Sequence, residues 1–206
     1  MTNCLFFGDS ITYGEYDGIL GGWVDVLKRY FHGKYYSENA KKVNAFNLGI
    51  GGENTKGLLS RLENEIKVRI SPENNLIFLF YGANDLVIKN NQQNISITEY
   101  ETNMSLAIDI AMMHTKNVFL ISILPISPDI DGKIVSSGKL RTNKNVNEYN
   151  KVLKRISKLK NIQYIDVHSI ISQDTTLYIS KDGIHPNEKG YKVISEIIKP
   201  ILNEYL

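Results

Sequence analysis

The sequence predicts an α/β fold, a three-layer α/β/α sandwich in which a parallel sheet lies between two helix layers. Along its 206 residues, strand-like apolar segments alternate five times with helical segments, a pattern typical of parallel sheets joined by right-handed crossovers. Residues 76–81 form an uninterrupted apolar run, which indicates a strand covered on both faces at the sheet centre. The length fits a single domain over residues 1–206.

The first strand ends at Phe7, and Gly8 allows a sharp change of chain direction directly after it. Ser10 is therefore expected at the carboxyl edge of that strand. The first long helix follows Gly22. Its apolar residues at helical spacing are Trp23, Val26, Leu27 and Tyr30.

The second strand is predicted over residues 43–48, and the glycine-rich stretch 49–52 ends it. A helix over 55–70 follows, with leucines and isoleucines along one face. The third strand, 76–81, also runs into a polar turn at 82–85, which contains Gly82 and Asn84. Both turns therefore follow the carboxyl end of a strand.

Thr98 is the predicted N-cap of a helix over 98–114, with Glu101 in the capping-box position. A buried strand is predicted over 118–124. Residues 125–141 show no strong periodicity and form the longest irregular connection, which suggests a flexible lid or specificity loop.

Helix, strand and helix complete the predicted order. The fourth helix covers 143–159 and the fifth strand covers 162–167. The final helix begins at Asn187, with apolar residues spaced along its inner face.

Composition argues against several classes of protein. A net charge of +2, with basic residues spread along the chain, gives no nucleic-acid footprint. The single cysteine, Cys4, excludes an intrachain disulfide and a cysteine-rich metal site. No apolar run is long enough for an integral membrane segment, and no basic-then-apolar leader is visible at the N-terminus. A cytoplasmic location is therefore expected, unless the chain has been trimmed.

Ser10 is a candidate nucleophile, but a serine hydroxyl needs a base within hydrogen-bond reach and a third group to orient that base. His185 fits best, because Asp182 precedes it by three residues and could accept the imidazole Nδ1–H. His168 follows the fifth strand and is an alternative base. Asp182 and His185 could instead be turn and helix caps.

Acyl transfer also needs donors for the developing oxyanion. The backbone N–H groups of Ser10 and Gly52 and the amide of Asn84 are predicted at the same sheet edge. The alternatives are a tight turn or a phosphate-binding loop at 49–52, and a self-bonded turn at Asn84. The glycine pattern matches neither a P-loop nor a dinucleotide fingerprint.

Four loops together resemble the blocks of the SGNH, or GDSL, hydrolase family. They are Gly8-Asp9-Ser10, Asn47-Leu48-Gly49 leading to Gly52, Gly82-Ala83-Asn84-Asp85, and Asp182-Gly183-Ile184-His185-Pro186. They occur in the family's order and extend from residue 8 to 186. Ile11 departs from the usual leucine after the serine, and Gly51 precedes Gly52.

The resemblance implies a flavodoxin-like five-stranded sheet of order 2-1-3-4-5 and ester hydrolysis through an acyl-serine intermediate. By position, Ser10 would be the nucleophile, His185 the base and then the acid, and Asp182 its orienter. Gly52 and Asn84 would join the Ser10 N–H as oxyanion donors. Apart from the resemblance, four apolar residues adjoin the proposed site and could line an acyl pocket or simply belong to the core: Ile11, Tyr13, Leu86 and Ile184.

The implied substrate is a small-molecule, lipid or carbohydrate ester. An alternative within the same fold is a carbohydrate O-deacetylase. A non-catalytic binding module is a further alternative, and so, on fold alone, is a flavin-binding module. No metal or other cofactor is expected, because the chain has no HExxH pair and no clustered Cys and His residues.

Overall fold

The computed structural model describes residues 1–205. Five parallel strands form its main sheet in the order β2-β1-β3-β4-β5, numbered along the chain. Their bounds are Thr2–Gly8 (β1), Val43–Gly49 (β2), Asn74–Phe80 (β3), Val118–Ile121 (β4) and Gln163–Ile165 (β5). This order confirms the predicted α/β/α sandwich, with β3 at its centre.

Five helices of 13 to 18 residues cover the sheet, and three helices of four residues lie in its connections. In chain order they are Ser10–Tyr13 (α1), Trp23–Glu38 (α2), Thr55–Lys67 (α3), Ile97–Met112 (α4), Asn143–Lys160 (α5), His168–Ile171 (α6), Thr175–Tyr178 (α7) and Glu188–Asn203 (α8). Within residues 1–205, none of these helices is long and apolar enough to span a bilayer.

Alternate residues of the strands enter two separate hydrophobic cores. Leu5 and Phe7 of β1 belong to the core that α3, α4 and α5 cover. Phe6 belongs to the opposite core, under α2 and α8. There Phe6, Phe78 and Phe119 occupy matching positions on adjacent strands, with ring centroids 4.8 and 4.5 Å apart. Burial on both faces explains the continuous apolar runs.

The buried stripe of α2 differs from the predicted one. Trp23 and Leu27 are buried as expected, but Val24 and Phe31 complete the stripe. The predicted Val26 and Tyr30 are only partly buried.

The predicted N-cap of α4 is wrong. Ser96, rather than Thr98, has the extended backbone of an N-cap, and its side chain accepts a hydrogen bond from the Glu99 amide. The Ser96-x-x-Glu99 spacing offers the same capping signal as Thr98-x-x-Glu101 two residues earlier. The first of the two equivalent signals is therefore the one that starts the helix.

Strand β4 ends three residues earlier than predicted, because a side chain takes the place of a neighbouring strand as the hydrogen-bond partner of the backbone there. Asn150 of α5 accepts from the Ile123 amide at 2.8 Å and donates to the Ile123 carbonyl at 3.0 Å. The backbone of Ile123 is thereby satisfied without a neighbouring strand.

Residues 125–141 are tied down at several points. Leu140 forms isolated bridges with Ile88 and Ile134, and the Ser127 amide donates to the Gly183 carbonyl. Ile88 belongs to a short hairpin, Ile88–Lys89 and Gln92–Gln93, that the sequence analysis did not predict. That this segment acts as a lid stays a prediction.

Asn54 caps α3, which lies directly after the glycine-rich turn. Its side chain accepts from the amides of Lys56 and Gly57 at 3.1 and 3.2 Å. We expect Asn54→Ala to lower the free energy of unfolding by about 1 kcal/mol, measured by urea denaturation. Asn64→Ala, at an exposed position within the same helix, is the control and should cause no loss. Equal stability of Asn54→Ala and the wild type would contradict the capping role.

Candidate active site

Ser10 is the first residue of α1, immediately beyond the carboxyl end of β1. Asp9 caps this turn, because its Oδ1 accepts from the Ile11 amide at 2.9 Å. Gly8 is required by packing, since a Cβ there would lie 2.0 Å from Thr12 Oγ1. The tight turn leaves Ser10 only 7% exposed, within the wall of a cavity.

The structure brings Ser10, His185 and Asp182 together from opposite ends of the chain. The Ser10 hydroxyl lies 2.7 Å from His185 Nε2, and His185 Nδ1 is hydrogen-bonded to Asp182 Oδ2. With a proton on Nδ1, the imidazole donates to Asp182 and accepts from Ser10 at Nε2. This is the relative placement of nucleophile, base and orienting carboxylate that acyl transfer needs.

Asp182 also holds the backbone of its own loop. Its Oδ1 accepts from the Ser180 hydroxyl at 2.7 Å and from the amides of Ile184 and His185 at 2.9 and 3.0 Å. Burial acts to raise the pKa of this carboxyl, but these bonds and the bond from the His185 ring outweigh burial. The pKa of Asp182 is therefore held below its usual range.

Because the pKa of Asp182 is lower in the folded than in the unfolded chain, its carboxylate contributes stability that is fully present above the unfolded value, about 3.9. That contribution is lost as the pH falls below about 4. We expect the difference in free energy of unfolding between wild type and Asp182→Asn to shrink in this window. Urea denaturation between about pH 5 and pH 2 measures it, and a difference that does not change with pH would contradict this role.

Gly52 occupies the third position of a turn that is closed by a bond from the Glu53 amide to the Ile50 carbonyl. Its φ of +76° favours glycine. Within residues 1–205, the amides of Ser10 and Gly52 donate to no protein acceptor. Both residues line the same cavity, so both N–H groups are available to a bound oxygen.

Asn84 lines this cavity too, but its amide already has partners. Asn84 Nδ2 donates to Asp9 Oδ2 at 3.2 Å and to the Glu53 carbonyl at 3.1 Å. An oxyanion bound by Asn84 would therefore share or replace one of these acceptors. Sequence reasoning missed the contact between Asp9 and Asn84, because the two residues lie in separate motifs and no spacing in the sequence links them.

Burial raises the pKa of Asp9 to about 7, although the Ile11 amide and the nearby His185 act to lower it. Burial likewise raises the pKa of Asp85, next to Asn84, to about 6. Asp85 Oδ1 accepts from both the amide and the hydroxyl of Thr55. It thus joins the Asn84 turn to the start of α3.

A second polar network supports the turn that contains Gly52. Arg61 binds both carboxylate oxygens of Glu53, at 2.9 and 2.6 Å, and the Leu48 carbonyl at 2.6 Å. The Tyr81 hydroxyl donates to Glu53 at 2.6 Å. The Glu53 and Arg61 side chains are only 8% and 15% exposed. The network therefore fixes the loop between β2 and α3 through buried contacts. Sequence reasoning missed this network, since Glu53 lies in the loop after β2, Arg61 in α3 and Tyr81 just beyond β3.

The cavity above Ser10 has a volume of about 430 Å³. The residues that line it are Ser10, Ile11, Glu15, Tyr16, Gly51, Gly52, Ala83, Asn84, Val135, Ser137, Lys139, Arg141, Ile184 and His185. The segment 125–141 therefore contributes to the wall of the cavity.

A much smaller apolar space of about 10 Å³ adjoins Ile11, Leu86 and Ile184. This space is too small for an acyl group, and Ile11 and Leu86 belong to the hydrophobic cores, so the acyl-pocket lining stays a prediction. Tyr13 does not line this space, since it is 61% exposed and faces a different groove.

The alternative base, His168, lies apart from Ser10. It begins α6 and lines a separate cavity of about 380 Å³ with Lys154 and Asp166. His185 is the histidine whose ring contacts the Ser10 hydroxyl in the described part of the chain.

Residues 6–193 match the GDSL-like Lipase/Acylhydrolase family, and the chain belongs to that family. Family membership indicates an ester hydrolase. A curated relative, GDSL esterase/lipase WDL1 of Oryza sativa subsp. japonica, is 24% identical over 97% of this chain and 77% of its own length.

Solved structures share the fold over nearly the whole chain. A lipolytic G-D-S-L family protein from Veillonella parvula DSM 2008 is 25% identical with a TM-score of 0.76, covering 98% of this chain and 99% of its own. A lipase/acylhydrolase from Enterococcus faecalis is 23% identical with a TM-score of 0.80, covering 100% and 97%. An acetylxylan esterase from Geobacillus stearothermophilus is 18% identical with a TM-score of 0.71, covering 95% and 91%.

Proposed function

We propose that the protein is a serine esterase that cleaves carboxylic esters through an acyl-serine intermediate. Ser10 Oγ attacks the ester carbonyl carbon while His185 Nε2 accepts the hydroxyl proton. The carbonyl oxygen becomes an oxyanion, which the N–H groups of Ser10 and Gly52 and the Asn84 amide stabilise. Asp182 orients His185 and stabilises the imidazolium.

Collapse of this tetrahedral intermediate breaks the bond to the alcohol oxygen, which leaves with the proton from His185. A water molecule then attacks the acyl-serine carbonyl and gives a proton to His185. Collapse of the second intermediate returns that proton to Ser10 and releases the carboxylic acid.

The observation that carries this proposal is the 2.7 Å contact between Ser10 Oγ and His185 Nε2, with Asp182 on the opposite ring nitrogen. A non-catalytic binding module would have no need for this arrangement beside two free backbone N–H groups. The contact joins residues 175 positions apart, so local turn chemistry alone does not account for it.

A fluorophosphonate probe tests the activation of Ser10. The folded protein should be labelled at Ser10, as located by peptide mass spectrometry, because the serine oxygen displaces fluoride from phosphorus when a base removes its proton. Urea-unfolded protein is the control and should stay unlabelled. A folded protein that resists labelling would favour a binding module.

Asn84→Ala removes the side-chain donor from the proposed oxyanion site. We expect kcat for an aryl acetate to fall by about 10²- to 10³-fold, with a small change in KM, since the bond forms chiefly in the transition state. Steady-state kinetics measures both constants. Asn94→Ala is the control for the turn, because Asn94 donates to the Asn84 carbonyl without lying in the proposed oxyanion site. An unchanged kcat in Asn84→Ala would remove Asn84 from the oxyanion site.

A carbohydrate O-deacetylase is the second candidate, and a groove next to the active site favours it. The groove has a volume of about 750 Å³ and shares Glu15 and Tyr16 with the catalytic cavity. Tyr13 and Tyr16 are 61% and 67% exposed there, and Asp25 also lines it. Exposed aromatic faces and carboxylate acceptors suit a sugar ring and its hydroxyl groups.

Acetylated xylo-oligosaccharides compared with an aryl acetate separate the two candidates. For a sugar esterase, Tyr13→Ala should lower kcat/KM for the oligosaccharide more than for the aryl acetate. Tyr36→Ala, at a tyrosine that is 86% exposed on α2, is the control. If Tyr13→Ala lowered kcat/KM equally for both substrates, the groove would no longer support the proposal of a sugar esterase.

A further inference from the structure

Arg141 is a buried cation in the wall of the catalytic cavity that the proposed mechanism does not use. Its side chain is 8% exposed and lines the cavity together with Ser10 and His185. Burying an arginine is costly unless its charge and its N–H groups find partners. The partners of Arg141 therefore indicate what the cavity is built to hold.

The protein supplies only part of what Arg141 needs. Arg141 Nε donates to the Ala83 carbonyl at 2.9 Å, and Nη2 reaches Asn84 Oδ1 at 3.4 Å. A guanidinium carries five N–H donors, so within residues 1–205 most of its donors have no acceptor. No carboxylate of the described chain forms an ion pair with Arg141. Asp9 and Asp182 interact with its charge only at longer range.

Two lysines lie on the same side of the site. Lys139 lines the catalytic cavity beside Arg141. Lys139 also lines an adjoining cavity of about 330 Å³ with Lys89, and this cavity meets the first at Gly52 and Asn84. Neither Lys139 nor Lys89 belongs to any ion pair of the described chain. The cations are therefore gathered around the proposed oxyanion donors.

Two carboxyl groups near Asn84, those of Asp9 and Asp85, are buried, and burial raises their pKa to about 7 and about 6. The acidic side chains that line the cavity and the neighbouring groove lie toward His185. Glu15 lines the catalytic cavity at the His185 end, with Oε2 3.9 Å from Nε2. Asp17 and Asp25 lie beyond it, in the neighbouring groove. A substrate in the cavity therefore lies in a field that favours negative charge toward Arg141 and disfavours it toward Glu15.

We propose that Arg141, assisted by Lys139, binds an anionic group of the substrate, so that the preferred ester carries a carboxylate in its acyl or its alcohol part. This inference rests on the proposed esterase function. The planar guanidinium suits a carboxylate, which accepts two parallel N–H bonds. Arg141 would then act as a specificity residue, with the ester bond held over Ser10.

Two pairs of esters test the proposal and locate the charge. Monoethyl succinate against ethyl succinamate places a carboxylate or its neutral amide in the acyl part. The pair 3-carboxyphenyl acetate and 3-carbamoylphenyl acetate does the same in the alcohol part. The readout is the ratio of kcat/KM for the charged ester to kcat/KM for its neutral partner, measured by acid release.

For at least one pair, the wild type should prefer the charged ester by roughly tenfold or more, as expected for a charge-assisted hydrogen bond. Arg141→Gln should bring that ratio close to one, and Lys139→Gln should lower it partially. Lys133→Gln, at an exposed position of the same segment outside the cavity lining, should leave the ratio at the wild-type value.

Arg141 also holds the backbone near Asn84, and the ratio separates this structural role from binding. A merely structural Arg141 would lower both rates together in Arg141→Gln and leave the ratio unmoved, which would overturn the proposal. A wild-type ratio near one for both pairs would also overturn it, while hydrolysis of the neutral esters would leave the esterase function standing.

A binding measurement covers the case in which no ester is hydrolysed and the esterase function itself fails. Ser10→Ala protein is titrated calorimetrically with monoethyl succinate and with ethyl succinamate, and with 3-carboxyphenyl acetate and its amide. Tighter binding of either carboxylate, lost in Ser10→Ala/Arg141→Gln, supports the anion site. Equal binding of each pair overturns it.

Discussion

Ser10→Ala is expected to lower kcat for a short-chain aryl ester by at least about 10⁴-fold, with the protein still folded. The reason is that the hydroxyl bonded to His185 at 2.7 Å is the only group in the proposed mechanism that forms a bond to the substrate. Any residual rate would come from substrate binding and the oxyanion donors, which remain in place. Initial rates over a wide range of enzyme concentration measure the loss.

The structure also indicates why this variant should fold. The turn at Ser10 is held by Asp9, whose side chain accepts from the Ile11 amide, and by the packing of Gly8 against Thr12. Neither contact uses the serine hydroxyl. Circular dichroism and the urea midpoint check the fold, and Ser136→Ala, at an exposed serine, is the activity control. Full activity of Ser10→Ala would rule out the acyl-serine mechanism.

The fold could be predicted from the sequence because its signals are local and repeated. Strands buried on both faces give continuous apolar runs such as residues 76–81. In the structure this segment overlaps β3, the central strand. Features that depend on distant partners escaped prediction, as at β4, where Asn150 of another element ends the strand at Ile123.

The candidate site likewise contains residues that local sequence signals predict and residues that only the fold brings together. Ser10, Gly52 and Asn84 could be placed at one sheet edge because each follows the end of a strand. Asp182 and His185 could be paired by their spacing. In the structure, His185 meets Ser10 and Asp182.

The groups that support these residues gave no such signal. Asp9 binds Asn84 across 75 residues of chain, and Arg141 reaches Asn84 across 57. Arg61 of α3 and Tyr81, which follows β3, both bind Glu53. A pair of residues joined only by the fold leaves no fixed spacing in the sequence, so pattern analysis finds the reacting groups before the groups that hold them.

His185→Ala should lower kcat by about 10⁴-fold or more, because Ser10 then has no base in contact with its hydroxyl. The loss should resemble that of Ser10→Ala, and the double variant should lose little more, since the two groups act in one proton transfer. Kinetics of both single variants and the double variant with the same aryl ester measure this.

His168→Ala is the matched control, because His168 also follows a strand end but lines a separate cavity. Its kcat should stay within about twofold of the wild-type value, as for a residue outside the reacting groups. If His168→Ala lost activity while His185→Ala kept it, the base would have to reach Ser10 from α6, against the contact that the structure shows. Independent, additive losses from Ser10→Ala and His185→Ala would instead mean that the two side chains do not share a proton.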